Sequence, residues 1–225
     1  MKKTTLIILV TIFSFTTKAQ HFGVTADVGM SRINKIVGKS IKVENKSKIY
    51  YGIGVFYAKI PVESRWGFRT SIDYNKRGAG SYYEGFPWYG IDSDYVVYET
   101  NESTKSLNLT FTPTLNISNK FQFLLGPTIG YTLGSRDGFT ETYYKTSAKN
   151  EVLEIRTDTR SFNGISFSYR LHYGVKTGIN VKVSNYLDVG LNYQYARLLR
   201  YGNPRYRPFY NIINITTNIY LKKRD

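Results

Sequence analysis

Two neighbouring segments in the middle of the sequence alternate apolar and polar residues along their length. Residues 106–117 and 121–133 place apolar side chains at nearly every second position, and the polar segment 118–120 separates them. A period of two is typical of a β-strand with one apolar and one polar face, and a short polar turn between two such strands predicts an antiparallel hairpin. Each segment is about ten residues or longer, which is enough for a tilted strand to cross a bilayer.

This alternation has two interpretations, which differ in the direction that the apolar face points. In a soluble barrel the apolar face packs inside, whereas in an outer-membrane barrel it meets lipid and the lumen is polar. The polar positions of 106–133 are mainly Ser, Thr, Asn and Gly, with few Lys or Glu. Small neutral side chains suit a narrow, filled lumen better than a surface in water, so the pattern favours the outer-membrane barrel.

The N-terminus has the features of a secretory signal peptide. Lys2 and Lys3 supply the positive start, residues 6–15 are apolar, and small residues precede an expected cleavage site before Gln20. We therefore predict a signal peptide at 1–19 and a single barrel domain at 20–225. The chain has no Cys, which excludes a disulfide framework, thiolate metal ligands and a lipid-anchored cysteine.

The same alternation recurs along the rest of the chain and predicts eight strands. They lie at 21–30, 49–59, 66–75, 106–117, 121–133, about 167–183, 186–196 and 209–221. Long connections follow the odd-numbered strands, among them loops at 76–105 and 135–165, and short turns follow the even-numbered ones. An even strand number, long loops on one side and short turns on the other are typical of an outer-membrane barrel. The sequence thus predicts an all-β, eight-stranded antiparallel up-and-down transmembrane β-barrel in the bacterial outer membrane, with both termini periplasmic.

Three segments also resemble a known family. They are Lys18-Ala19-Gln20 at the end of the signal, LNLTFTPTLNISNKFQFLLGPTIGYTLG at 107–134 and YGVKTGINVKVSNYLDVGLNYQYA at 173–196. This pattern is similar to that of the small outer-membrane β-barrel proteins of Bacteroidetes-type bacteria, described as porin-family or PorT-like. The resemblance implies the location and the fold, and it suggests an accessory role in an envelope protein-secretion complex.

The inward positions of the predicted strands carry equal numbers of acidic and basic residues. A lumen of eight strands is just filled by side chains, and unpaired buried charge is expensive. We therefore expect an ion-pair network that plugs the lumen, with an ion path or proton relay as the alternative. Its predicted members are Asp27, Arg69, Asp73, Arg170, Lys176 and Asp188.

Catalysis and metal binding are two further possibilities for the chain. His172 points inward near Ser168, which is the pair that a lipid-modifying enzyme would need, but no oxyanion element is evident and no catalytic residue is predicted. Carboxylates and His do not recur at ligand spacing, so no metal or other cofactor is expected. A pore for small solutes is the remaining alternative.

The loops differ in charge, and this difference guides the functional hypotheses. The formal net charge is +15, and nucleic acid is an improbable partner for an exported barrel. The loop at 76–105 is acidic and aromatic, which suits contact with protein or sugar, although it is also compatible with an ordinary solvated loop. The loops after the first and seventh strands are basic, and closure of the barrel makes them neighbours. We predict that they bind lipopolysaccharide through Arg32, Lys35, Arg197, Arg200, Arg205 and Arg207.

The leading hypothesis is a closed, non-enzymatic barrel that acts through its extracellular loops in envelope integrity, adhesion or docking of an envelope protein partner.

Overall fold

The computed structural model is an antiparallel β-structure with nine strands. It describes residues 20–34, 43–60, 64–86, 92–147, 151–163, 170–198 and 209–222. The strands are β1 (Gln20–Asn34), β2 (Val43–Lys59), β3 (Trp66–Gly85), β4 (Tyr95–Asn116), β5 (Phe121–Thr146), β6 (Val152–Asn163), β7 (Leu171–Lys182), β8 (Leu187–Leu198) and β9 (Phe209–Tyr220). Among the residues described, no helix is long and apolar enough to span a membrane.

Eight of the nine strands close into a ring. Sequential neighbours pair from β1 to β5, β5 then pairs with β7, and β9 returns to pair with β1. Strand β6 stands outside this ring and pairs with β5 alone among the described strands. The predicted eight-stranded up-and-down barrel is confirmed, and β6 is an additional strand that the alternation did not reveal.

The burial pattern of the ring matches the predicted two-faced strands. On β5, Phe121, Leu125 and Ile129 are exposed, while Gln122 and Thr128 between them are buried. The exterior is thus apolar and the interior polar, the reverse of a soluble barrel and the arrangement that lipid requires.

Aromatic side chains form a belt near the short turns of the barrel. Phe22 contacts Tyr57 with ring centroids 5.0 Å apart, Tyr57 lies 5.8 Å from Phe68, and Phe68 lies 5.8 Å from Phe111. This row crosses four consecutive strands on the outer face. Such belts are typical of the interface between lipid and water, where an amphipathic ring is stable.

Two of the predicted long loops prove to be strand, so these predictions were wrong. Residues 76–85 and 95–105 continue β3 and β4 in unbroken register up to the pair Gly85↔Val96. Residues 135–146 lengthen β5, and residues 152–163 form β6. Glycine and acidic residues in these segments interrupt the apolar outer face, and that interruption predicts loops. Outside a bilayer the outer face of a sheet meets water, so it does not need to be apolar.

The lengthened strands extend the sheet beyond the end of the ring, and this extension is here called the projecting sheet. It comprises residues 43–47 of β2, 77–85 of β3, 95–105 of β4, 134–146 of β5 and all of β6. A register shift between Lys105 and Ser106 marks where β4 and β5 pass from the ring into the projecting sheet. The barrel thereby positions a rigid β-structure, rather than irregular loops, at one of its ends.

Candidate functional sites in the lumen and the projecting sheet

The layer of the lumen nearest the short turns is built around Arg69. Its guanidinium donates a 2.6 Å hydrogen bond to the side-chain oxygen of Asn218 and lies 3.9 Å from the ring centroid of Phe56. Tyr220 donates a 2.7 Å hydrogen bond to Asp188, whose register partner on β9 is Asn218. Cation, amide, phenol and carboxylate thus form one contiguous buried cluster, which the inward positions of β3, β8 and β9 bring together.

The middle layer holds the other two acidic residues of the predicted network. Asp27 accepts a 2.8 Å hydrogen bond from Asn214 and a short one from Thr216. Asp73 accepts a 2.8 Å hydrogen bond from Ser71 on the same strand. Neutral donors therefore satisfy part of the hydrogen-bonding capacity of both carboxylates, which lowers the cost of burying them.

The upper layer contains a buried arginine that the sequence analysis missed. Arg77 has no exposed surface, and its guanidinium lies 4.1 Å from the ring centroid of Tyr210. Its terminal nitrogens lie 3.4 and 3.5 Å from the ring nitrogens of His172. Nε2 of His172 is in turn 2.8 Å from the side-chain oxygen of Asn108, so the Nε2-protonated tautomer donates to Asn108 and leaves Nδ1 facing Arg77.

Extending the alternation of the third predicted strand by one inward position would have identified Arg77. The inward positions of β3 run from Arg69 through Ser71 and Asp73 to Asn75, and Arg77 is the next residue in that series. The predicted strand ended at residue 75, because lysine and arginine followed there. The predicted inward position of His172 agrees with its complete burial, whereas Ser168 lies outside the described residues.

The structure places five of the six predicted network residues at the lumen. Asp27, Arg69, Asp73 and Asp188 are buried, and Lys176 lines a small cavity together with Arg69. Three direct salt bridges lie in the projecting sheet or at its outer end: Lys46–Glu99, Lys145–Asp92 and Arg156–Asp158. Direct ion pairing within the lumen stays a prediction.

Arg170 requires a correction, because it does not join the lumen cluster. It precedes β7, is partly exposed, and donates a 2.8 Å hydrogen bond to the hydroxyl of Tyr131. Tyr131 lies on the outer face of β5, so the guanidinium turns towards the rim of the barrel. A long side chain at the end of a strand can reach the polar interface in this way, which avoids burying its charge.

The lumen cavity is small. It is lined by side chains of β3, β4, β5, β7, β8 and β9, namely Arg69, Ser71, Thr110, Thr112, Leu124, Lys176, Asn180, Asn192 and Thr216. The volume in which the centre of a water molecule fits is about 10 Å³, which corresponds to roughly one water. In the described part of the barrel, no three His, Cys, Asp or Glu residues are placed to hold a metal ion.

One face of the projecting sheet carries an aromatic cluster. It continues the lumen face of the strands and consists of Tyr83, Val96, Tyr98, Phe139 and Tyr143. The rings of Tyr83 and Tyr98 stack with centroids 4.8 Å apart, and burial raises the pKa of the Tyr83 hydroxyl. Tyr143 donates a 3.2 Å hydrogen bond to Glu141, so the cluster carries a buried acidic group at its edge.

The opposite face of the projecting sheet combines aromatic rings with exposed charge. Lys46 forms a 3.1 Å salt bridge with Glu99, and its ammonium group lies 5.5 Å from the ring centroid of Tyr82. Tyr95 and Tyr144 stack with centroids 5.1 Å apart. Rings that stack while remaining partly exposed offer a flat surface to a sugar ring or a peptide.

The predicted basic rim is described only in part. Arg32 is exposed on the outer face of β1, and Arg197 is partly exposed on the outer face of β8. The two strands flank β9, where Arg32 is level with Asn211 and Arg197 with Phe209. The other four predicted members lie outside the described residues: Lys35, Arg200, Arg205 and Arg207.

A comparison with protein families agrees with the barrel. A family model described as "outer membrane protein beta-barrel domain" matches residues 17–196. Among solved structures, the chain is similar to Ail, the attachment invasion locus protein of Yersinia pestis, with 12% identity, a TM-score of 0.46, and coverage of 91% of this chain and 100% of that one. It is also similar to Neisserial surface protein A, with 13% identity, a TM-score of 0.47, and coverage of 88% and 96%. No curated protein matches the sequence.

Proposed function

The chain belongs to the outer membrane protein β-barrel domain family, and from this membership we propose that it is a closed, non-enzymatic barrel of the outer membrane whose projecting sheet serves adhesion or partner docking outside the cell. The short turns after β2, β4 and β7 would face the periplasm, together with both termini. Short turns on the periplasmic side are the rule for such barrels. The projecting sheet, at the opposite end, would then face the environment.

The projecting sheet is the observation that carries this proposal. A long β-structure beyond the lipid belt contributes little to crossing the membrane, and it presents stacked tyrosines on both faces. A binding surface held on strands is more precisely positioned than one on flexible loops. The lumen, in contrast, is occupied by buried side chains and offers a cavity of about 10 Å³.

The test compares bacteria that display the wild-type protein with bacteria that display two variants. In the first variant, Tyr82, Tyr95 and Tyr144 on the outer face are changed to Ser. In the second, the lipid-facing Leu107 and Ile129 are changed to Val as a control outside the projecting sheet. We expect the first variant to lose retention on an array of immobilised glycans and matrix proteins and the second to keep it. Equal retention of all three strains, with equal amounts of folded barrel, would contradict the proposal.

A second function, clamping of lipopolysaccharide, is favoured by the position of Arg32 and Arg197. Both arginines lie at the end of the barrel opposite the short turns, near Tyr195 and Phe209, whose ring centroids are 5.3 Å apart. An arginine at that level can grip a phosphate group in a bidentate manner. Lys35, Arg200, Arg205 and Arg207 would extend the clamp.

The clamp is tested by measuring lipid that co-purifies with the barrel. A variant with Arg197, Arg200, Arg205 and Arg207 changed to Gln should carry less lipopolysaccharide than the wild type. A matched variant with Lys46 and Lys145 changed to Gln, which removes basic charge from the projecting sheet, should carry the normal amount. Equal amounts of lipopolysaccharide in all three proteins would mean that these arginines are solvated and do not bind it.

The resemblance to PorT-like barrels supports a secretion complex as another docking partner, in which the chain would have an accessory role. Its test is co-purification in mild detergent, followed by identification of bound envelope proteins. Recovery of the barrel alone, from cells in which the secretion machinery is intact, would speak against that role.

A further inference from the structure

Strand β6 forms an open edge of the projecting sheet. It pairs with β5 from Arg136↔Asn163 to Thr146↔Val152, and no other described strand lies against its far side. Most of its residues are exposed. One row of its backbone N–H and C=O groups is therefore available, and such a row is a template for pairing with another chain.

The charges on this edge alternate in sign. Arg156, Asp158 and Arg160 occupy every second position, so they share one face of the sheet. Arg156 and Asp158 already form a salt bridge of 2.8 Å along the strand. A row of like charges would repel any second copy of the same strand, whereas the response to an alternating row depends on the direction of the incoming strand.

An antiparallel copy of β6 matches this row in two registers. With Thr157 on the two-fold axis, Arg156 lies opposite Asp158 of the second copy, and the reverse pair forms on the other side. With Thr159 on the axis, Asp158 lies opposite Arg160 of the second copy, and residues 156–162 pair without including the irregularity near residue 155. A symmetric parallel pair would instead place each charge next to itself.

Geometry then decides where the second copy stands. Strands of such barrels tilt by about 35–45° from the membrane normal, and β6 shares the direction of β5 through their antiparallel pairing. If two copies in the same membrane were related by a two-fold axis along the membrane normal, their β6 strands would cross at about 70–90°, which is twice that tilt, and would not run side by side. An antiparallel pair needs the second copy inverted, which means that it stands in a facing membrane.

We propose that β6 pairs with β6 of a second copy in a facing membrane, so that the protein is a homophilic adhesin whose partner is itself. This inference rests on the proposed adhesive function and names its partner. The two can fail separately, because retention on glycans and matrix proteins is tested on the tyrosine face, whereas self-pairing is tested on β6. Backbone hydrogen bonds along the edge would supply the attraction, and the alternating charges would select the direction.

The experiment uses full-length protein reconstituted in phosphatidylcholine vesicles, whose neutral headgroups do not attract a basic protein. Vesicle aggregation is followed by light scattering. The variant Asp158→Arg makes the row wholly basic, and Arg156→Asp/Arg160→Asp makes it wholly acidic. The triple variant Arg156→Asp/Asp158→Arg/Arg160→Asp inverts every sign and keeps the row self-complementary.

We expect wild-type vesicles to aggregate and each single-sign variant alone to aggregate about tenfold less, because repulsive pairs replace attractive ones across the edge. A mixture of vesicles carrying the basic and the acidic variant should aggregate again, and so should vesicles with the triple variant. Heat-modifiable migration on a gel verifies that each barrel is folded. Absence of aggregation for the wild type, undiminished aggregation of the single-sign variants, or failure of the mixture to recover would each overturn the proposal.

Discussion

Arg69 donates a hydrogen bond of 2.6 Å to Asn218, which lies 149 positions later in the chain. The two residues sit on β3 and β9, which are separated in the ring by β2 and β1. Both are buried, and the ring of Phe56 from the intervening β2 covers the guanidinium. A charged group inside the barrel is thus held by a neutral acceptor and an aromatic face, and the stability of the closed ring depends on keeping these contacts together.

The first prediction is that Asn218→Leu destabilises the barrel more than Arg69→Met. The asparagine variant leaves an arginine buried without this acceptor, and leaving a buried hydrogen-bonding group unsatisfied costs about 1–3 kcal/mol, with more for a charged group. The methionine variant removes the charge together with its need for an acceptor. The measurement is the free energy of unfolding of the reconstituted protein in urea. The folded fraction is read from the heat-modifiable migration of the protein on a gel.

The double variant Arg69→Met/Asn218→Leu serves as the control for this prediction. It should be more stable than Asn218→Leu alone, because no charge then remains to be satisfied. A double variant less stable than either single one would mean that packing volume, rather than the buried charge, determines the effect.

The sequence was sufficient to predict the ring because lipid imposes a strict rule on each strand. Most side chains that face lipid must be apolar, so the period of two in residues 106–133 identified β4 and β5 where they cross the membrane. The last strand obeys the same rule, because Tyr220 points inward and Leu221 outward, and they are 3% and 72% exposed.

The projecting sheet escaped prediction because the rule ends where the membrane ends. In the projecting sheet the outer face meets water and carries charged residues such as Lys46 and Glu99, and the register shift at Lys105/Ser106 also reverses which positions point inward on β5. Arg77 was missed because it lies just past the predicted end of β3. The contacts of Arg170 were beyond prediction, because the residue precedes its strand and its direction is set by Tyr131.

The second prediction uses two glycines of β5 with opposite surroundings. A Cβ atom at Gly130 would lie 2.0 Å from Nε2 of His172 and 2.2 Å from the side-chain oxygen of Asn108, both of which are buried. A Cβ atom at Gly134 would meet nothing within 4 Å. Gly130→Ala should therefore cost about 1–3 kcal/mol, as overpacking of a filled interior does, whereas Gly134→Ala should be close to neutral.

The measurement for the glycine pair is again urea unfolding of the reconstituted barrel. If Gly130→Ala were as stable as Gly134→Ala, the cluster of Arg77, His172 and Asn108 would be loosely packed. The proposed plug would then be in doubt at its upper layer.

The third prediction is that the wild-type barrel does not form a large, stable pore. Buried side chains occupy the lumen at three levels, around Arg69, Asp27 and Arg77, and lumens of eight strands are in general just filled. Planar-bilayer recordings should show no conductance steps of the size given by a wide porin measured in the same bilayers. Frequent, long-lived steps from the purified protein would contradict the filled lumen and favour a solute pore.

The fourth prediction concerns acid and the outer end of the β4–β5 pair, where Asp94 precedes β4 and Thr146 ends β5. The backbone N–H of Thr146 donates a 2.6 Å hydrogen bond to Asp94, and this bond holds the pKa of that carboxyl below its usual range. A pKa lowered in the folded state gives stability that is present above the unfolded value of about 3.9 and is lost as the pH falls through the folded value. Protection of the Thr146 amide against hydrogen exchange, corrected for the intrinsic rate, should therefore fall below pH 4.

Asp94→Asn provides the matched control, because it keeps a side-chain oxygen acceptor and removes the titration. Its Thr146 amide should be less protected than the wild-type amide at pH 6, since a carboxylate is the stronger acceptor, and its protection should be independent of pH between pH 6 and pH 3. Asp94→Ala should lose the protection at every pH. Wild-type protection that stayed constant down to pH 3 would show that the Asp94 carboxylate does not hold the outer end of the β4–β5 pair, and the hydrogen bonds of the strands themselves would then be what orders it.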